Sequence, residues 1–125
     1  MNLVSLYLSD IDADPLFKTH FARDLRPLQA SLKTFGVLNP VRVRQSPTGR
    51  FQLVDGFLRT QVAQELEIQS IPALVYTETE LSLSDAFLLA LEINRLQSPF
   101  NAVERAILLR EAIQIFGVQG IPKIF

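Results

Sequence analysis

Phe51-Gln52-Leu53-Val54-Asp55-Gly56-Phe57-Leu58-Arg59-Thr60-Gln61-Val62-Ala63 changes character in its middle. Phe51–Val54 is short and largely apolar, as a strand is, whereas after Gly56 the residues Leu58, Val62 and Leu66 recur at four-residue spacing and Ala63 allows close packing on the same side. A strand therefore passes into a helix at Asp55-Gly56, and the helix is expected to reach about Glu67. Such a helix start carries backbone N–H groups with no intrahelical acceptor, and together with the helix dipole they attract anions. Arg59, in the first turn, adds a group able to give two parallel hydrogen bonds to phosphate oxygens, while Gly56 lets a phosphate approach the backbone. The competing reading is purely structural, with Asp55 as the N-cap, Gly56 as a tight-turn residue and Arg59 as a solvated helix residue.

Working outward, Ser46-Pro47-Thr48-Gly49 is a turn signal that joins Phe51–Val54 to the alternating segment Val41-Arg42-Val43-Arg44, so the two predict a hairpin. Before it, Leu25, Leu28, Leu32 and Phe35 give Asp24–Phe35 one apolar helical face, with Gly36 as the C-cap. Leu3–Leu8 is apolar on both sides and predicts a short strand that becomes buried, and the acidic, proline-containing Asp10–Pro15 predicts a loop after it. Downstream, Ile71–Tyr76 predicts a strand in which Pro72 is easiest to place at the beginning or on an edge. Thr77–Leu83 links it to a helix capped by Ser84 and carrying Phe87, Leu88, Leu91 and Leu96. Ser98-Pro99 breaks that helix, and Asn101 with Glu104 forms a capping-box pattern before Val103, Ile107, Leu108, Ile113 and Phe116. The order is strand, helix, hairpin, helix, strand, two helices: an α+β domain with a small mixed sheet covered by helices. Residues 1–116 are expected to form the domain, and Gly117–Phe125 reads as the start of a linker or of a following element cut from a longer parent.

The 125 residues suit one domain, and an apolar fraction of 48% is ample for its core. With 12 lysines and arginines against 13 acidic residues, a net charge of -1 supplies no global attraction to a polyanion. There is no cysteine for a disulfide or thiolate, and one histidine cannot build a His-rich metal site. The first residues lack a basic region before an apolar core, and no apolar run approaches the roughly 20 residues that span a bilayer, so a cytoplasmic protein with no membrane partner is expected.

Several segments together carry a family resemblance: Val4–Leu8 with Asp14-Pro15, Leu28–Leu32 before Phe35-Gly36-Val37-Leu38-Asn39-Pro40-Val41, Gly49–Gly56, Ile71-Pro72-Ala73-Leu74-Val75, and Asn94 through Ala106. Over nearly the whole chain they resemble the ParB/sulfiredoxin superfamily, and most of all the N-terminal domain of ParB-like partition proteins. The resemblance implies a regulatory domain that binds CTP or another nucleotide, with magnesium, and that self-associates in partition-like or DNA-associated assembly. It also implies that DNA is recognised by a downstream domain rather than by this segment.

A Gly-Glu-Arg-Arg phosphate box of the family matches at Gly56 and Arg59, with Phe57 and Leu58 in place of its charged middle residues. A Glu-Asn-x-x-Arg box matches at Asn94, with Ile93 and Gln97 replacing its charged residues. Its displaced neighbours are Arg95, a second phosphate donor, and Glu92, a candidate to orient Arg59 or a magnesium ion. Gly36, Leu38, Asn39 and Pro40 lie in the loop that receives base and sugar, while Thr19 stands where an arginine is expected. Two alternatives remain. The apolar Phe57 and Leu58 suit a protein-interaction module that has lost its ligand. A nucleotide hydrolase or small-molecule kinase would have Asp55 and Glu92 as its available carboxylates. The lack of cysteine excludes sulfiredoxin-type chemistry.

Outside these boxes, Arg42 and Arg44 on one strand face and Arg50 across the hairpin suit either a phosphate or acidic partner or a solvated face. His20, with no acidic orienter implied by spacing, reads as a surface or half-buried residue.

Overall fold

The switch of period marks the observed boundary: strand β4 covers Phe51–Asp55, Gly56 follows, and helix α2 covers Phe57–Glu65. The computed structural model describes residues 1–13, 24–97 and 102–117, with the backbone alone for 94–97. The remaining elements are β1 (Asn2–Tyr7), β2 (Ile11–Asp12) after a 3₁₀ turn, α1 (Arg26–Phe35), β3 (Val41–Gln45), β5 (Ser70–Tyr76), α3 (Leu83–Gln97) and α4 (Ala102–Phe116).

The sheet is mixed, in the order β1-β5-β3-β4-β2. β3 and β4 form the expected hairpin, pairing Val43 with Leu53 and Gln45 with Phe51, and a bulge between Arg42 and Val43 sets Arg42 opposite Asp55. β5 runs parallel to β3 from the pair Val41–Ala73 onward. Thus the beginning of β3, the end of β4 and the beginning of β5 lie at one end of the sheet, where α2 starts.

β4 is buried on both sides. Leu53 joins Val41, Val43, Val62, Ala63, Ile71, Ala73 and Leu32 in one apolar cluster, and its neighbour Val54 joins Phe87, Ala90, Leu108 and Ala112 in another. Alternate residues of a strand point to opposite faces, so α1 and α2 cover one face and α3 and α4 the other. Phe87 is fully buried and its ring lies 6.0 Å from that of Phe116, tying α3 to α4; burying a side chain of this size is worth about 1.5–3 kcal/mol.

Some expectations change. β1 is an edge strand with β5 as its neighbour, and except for Leu6, which packs half-buried on the core, its side chains are exposed rather than buried, Leu3 by 64%. Within the acidic stretch expected to be loop, Ile11 and Asp12 pair in parallel with Phe51 and Gln52 and bury Ile11. Pro72 is the third residue of β5, an interior strand, but the ladder to β3 starts only at Ala73, so on that side it interrupts no pairing. Ser82, not Ser84, caps α3 by accepting the N–H of Asp85 at 3.2 Å. Phe35 ends α1 exposed instead of completing its apolar face. The expectations for Asp14-Pro15, Thr19, His20, Ser98-Pro99, Asn101 and residues 118–125 lie outside the described residues.

Candidate functional site

Gly56 is the N-cap of α2 and adopts φ 103°, ψ 29°, a left-handed backbone that other residues adopt only with strain. Its missing side chain also makes room. A β-carbon built there would stand 2.5 Å from Val41 Cγ1 and 3.2 Å from Arg59 Nη2. The space that Gly56 leaves is therefore taken up by the protein, by β3 and by the arginine of its own helix.

No side chain caps the N-terminus of α2. Asp55 does not serve as the N-cap; it is 7% exposed, and its Oδ2 accepts Arg59 Nη2 at 3.1 Å in an i,i+4 salt bridge. Arg59 Nη1 donates to the carbonyls of Asn39 at 3.0 Å and Pro40 at 3.3 Å. The guanidinium thus ties three segments at one point: the end of β4, the first turn of α2 and the loop before β3. With the side chain of Arg59 only 19% exposed, this pair is screened less than an open surface pair.

Of the residues singled out from the sequence, Asn39, Pro40, Asp55, Gly56 and Arg59 come together here. Gly36, with φ 73°, ends α1 by donating its N–H to Leu32 O at 2.8 Å, and Leu38 in the same loop is 67% exposed. Glu92 is exposed on α3, and among the described residues no cluster of three metal-ligating side chains occurs. Asn94 and Arg95 fall in the last turn of α3, and their side chains lie outside the described residues.

Phe57 and Leu58, the uncharged residues that the sequence sets between Gly56 and Arg59, are accommodated. Phe57 packs against both apolar clusters and bridges them, and Leu58 is half-buried. Thr60, one turn into α2, is 3% exposed, and its Oγ1 has no hydrogen-bond partner among the described residues, a feature no sequence signal announced.

The hairpin arginines are engaged inside the molecule. Arg42 Nη1 donates to Tyr76 Oη at 2.6 Å, and Arg44 Nε to Leu81 O at 2.7 Å. Arg50 makes a two-pronged contact with Asp12 at 2.8–3.0 Å and also reaches Ser9 O. The hydrogen bond from Arg50 holds the Asp12 carboxyl below the usual carboxylate range. Glu104, read as half of a capping box, is buried at 2% exposure.

A helix-covered mixed sheet in which a strand passes through a glycine into a helix start defines a ParB/sulfiredoxin-type module. Sulfiredoxin from Arabidopsis thaliana shares it, with a TM-score of 0.52 at 24% identity over 63% of this chain and 91% of that one. Within that class the chain belongs to the ParB N-terminal domain family, whose model matches residues 2–91. Among relatives, the chromosome-partitioning protein ParB of Myxococcus xanthus is 33% identical over 90 residues, covering 71% of this chain and 29% of the relative. The probable ParB of Vibrio cholerae is 29% identical over 82 residues, 66% of this chain and 27% of the relative. The chain thus spans less than a third of the length of these relatives. Among solved structures, the C-terminally truncated ParB of Caulobacter crescentus, complexed with CTP-γ-S, superposes with a TM-score of 0.68 at 24% identity over 93% of this chain and 65% of that one. At that identity the likeness establishes the fold.

Proposed function

We propose that this domain binds a nucleotide, with CTP favoured, at the start of α2, and that it serves as the regulatory part of a cytoplasmic, self-associating, partition-like assembly. The observation that carries the reading is an α2 N-terminus with no side-chain cap and a partly buried arginine in its first turn, set against the Asn39–Pro40 loop. Uncapped amides and an arginine are the donor set a phosphate requires. In this reading Gly56 and Arg59 meet the phosphates, Asp55 supports Arg59, Gly36, Leu38, Asn39 and Pro40 face the base and sugar, and Asn94 and Arg95 add contacts from α3. The Caulobacter relative solved with CTP-γ-S supports the choice of nucleotide. Magnesium fits as an ion held mainly by the phosphates, since such sites use only one or two carboxylates, here Glu92. DNA contact is assigned to a domain beyond this near-neutral segment, in line with a Caulobacter relative solved on the centromeric parS site.

The test is calorimetric titration with CTP, ATP, GTP and UTP, each with magnesium. Heat from CTP that disappears in Arg59→Ala supports the site, whereas no heat at millimolar nucleotide rules the reading out. A second reading, a protein-interaction module without a ligand, is favoured by Phe57, which lies packed between the two clusters where the family's box carries charge. The same null titration would select it. Hydrolysis or phosphoryl transfer is less well served, because Asp55, the carboxylate nearest the helix start, is committed to Arg59.

A further inference from the structure

We infer that Asp55 is the positioning residue of this site, and that phosphate capture by Arg59 and the set of the Gly36–Pro40 loop are a single coupled event. The inference rests on the nucleotide reading for its anion. A guanidinium is a rigid plane with five N–H donors. Here Nη1 spans two successive carbonyls, Asn39 O and Pro40 O, while Nη2 is held by Asp55 Oδ2. Contacts on both terminal nitrogens fix the plane in place and in orientation.

The loop in turn is anchored to α2 by that plane, between Gly36, which closes α1, and Val41, which opens β3 and is fully buried. Of its own side chains Val37 packs against the apolar cluster, whereas Leu38 and Asn39 are exposed, so the stretch next to β3 relies most on that plane.

Phosphate oxygens accept hydrogen bonds from a guanidinium more strongly than neutral carbonyls do. An anion arriving at the uncapped amides of α2 competes for Nη1 and draws it off Asn39 O and Pro40 O. Asp55, 7% exposed and on the other terminal nitrogen, keeps Arg59 from swinging away. The loop so released is the one that meets base and sugar in the nucleotide reading, so the phosphate end is read first and the base second. It follows that a nucleoside without phosphates, such as cytidine, binds far more weakly than the contacts of its base and sugar alone would suggest.

The experiment is hydrogen–deuterium exchange across residues 36–41 of the full chain, with β5 peptides as the internal control. Without ligand, Arg59→Ala speeds loop exchange about tenfold, the equilibrium effect of losing one hydrogen bond's net stabilisation. Arg59→Lys, which keeps the charge but lacks the planar fork, gives a smaller increase and guards against misfolding of the alanine variant. Asp55→Asn also loosens the loop, and its effect vanishes in the Arg59→Ala background, where a merely structural role for Asp55 would persist. Sodium tripolyphosphate, which has no base, speeds loop exchange in the wild type and leaves Arg59→Ala unchanged. The inference is overturned by an unaltered loop in Arg59→Ala, by additivity of the Asp55 and Arg59 changes, or by tripolyphosphate binding that leaves the loop as it was. Ligand-free coupling as expected, with no response to tripolyphosphate or CTP, would instead bring down the nucleotide reading and the phosphate half of this inference with it.

Discussion

Replacing Gly56 by alanine tests the geometry of the site without any ligand. Two costs are visible. At φ 103° an L-residue is strained, worth about 1–3 kcal/mol for a non-glycine held in a sparsely populated region. The new methyl would also stand 2.5 Å from Val41 Cγ1, against a side chain with no exposed surface and no room to retreat, and overpacking of this kind costs about 1–3 kcal/mol. The sum, about 2–6 kcal/mol, is a large part of the roughly 5–15 kcal/mol by which domains are stable. Urea denaturation followed by circular dichroism should show a much lower midpoint with an unchanged slope. The costs separate in part in a Val41→Ala background: the 2.5 Å clash with Cγ1 is removed, the 3.0 Å approach to Cβ and the backbone strain stay, and Gly56→Ala then costs less than it does in the wild type. A loss below about 1 kcal/mol in the wild type would refute the reasoning, since neither the left-handed backbone nor the contact with Val41 could then be real.

Three further changes follow from local features. Glu67 sits at φ 60° just past α2, where Ile68 N–H donates to Ala63 O and Glu67 N–H to Gln64 O, an end motif that favours glycine; Glu67→Gly should stabilise by about 0.5–1 kcal/mol in the same denaturation assay, after the entropy lost by glycine is set against the strain removed. Thr60→Val replaces an unpartnered buried hydroxyl with a methyl of the same shape and should raise stability by about 1 kcal/mol, whereas a loss would mean that the hydroxyl has a partner. Asp12 binds its proton more weakly when folded, because of Arg50, so its contribution is complete at neutral pH and is lost as the pH falls through the carboxylate range near about 4. Asp12→Asn should therefore flatten part of the drop in midpoint between about pH 5 and pH 3, and an unchanged acid profile would show the pair to be inert.

The sequence carried those parts of the fold whose cause is local. The change of period at Asp55-Gly56 and the turn chemistry of Ser46–Gly49 are properties of a few adjacent residues, and both elements appear where expected. The exposure of β1 depends on its place at the end of the sheet, which six apolar-rich residues cannot announce. β2 is too short to have a period at all. At the site, Asp55 reads from the sequence as an N-cap, which misses its i,i+4 pairing with Arg59 although the spacing allows it. The other acceptors of Arg59, the carbonyls of Asn39 and Pro40, are backbone atoms about twenty residues away in sequence, brought near by the pairing of β3 with β4. The partners of Arg42 and Arg44, at Tyr76 and Leu81, were hidden for the same reason: alternation says which face a side chain is on, not what lies above it.

Phe57 connects the divergence of the site to the packing of the fold. At a position where the resemblance implies a charged residue, Phe57 bridges the cluster under α1 and α2 and the cluster under α3 and α4. Restoring a carboxylate there would remove an apolar bridge and place a charge against two apolar clusters, a costly change unless the group stays hydrated or paired. Phe57 thus supplies cohesion between the two faces of the sheet. Among the described residues at the helix start, what an anion would meet is the partial positive charge of the α2 N-terminus and the Arg59 guanidinium, whose formal charge is balanced by Asp55. A nucleotide bound as proposed would meet the backbone amides there together with Arg59. If it rearranges α3 and α4, it must do so against the packing of Phe57. A smaller apolar side chain at position 57 should therefore loosen the packing of α3 and α4, read as a lower urea midpoint, while leaving the contacts of Arg59 with Asp55, Asn39 and Pro40 in place.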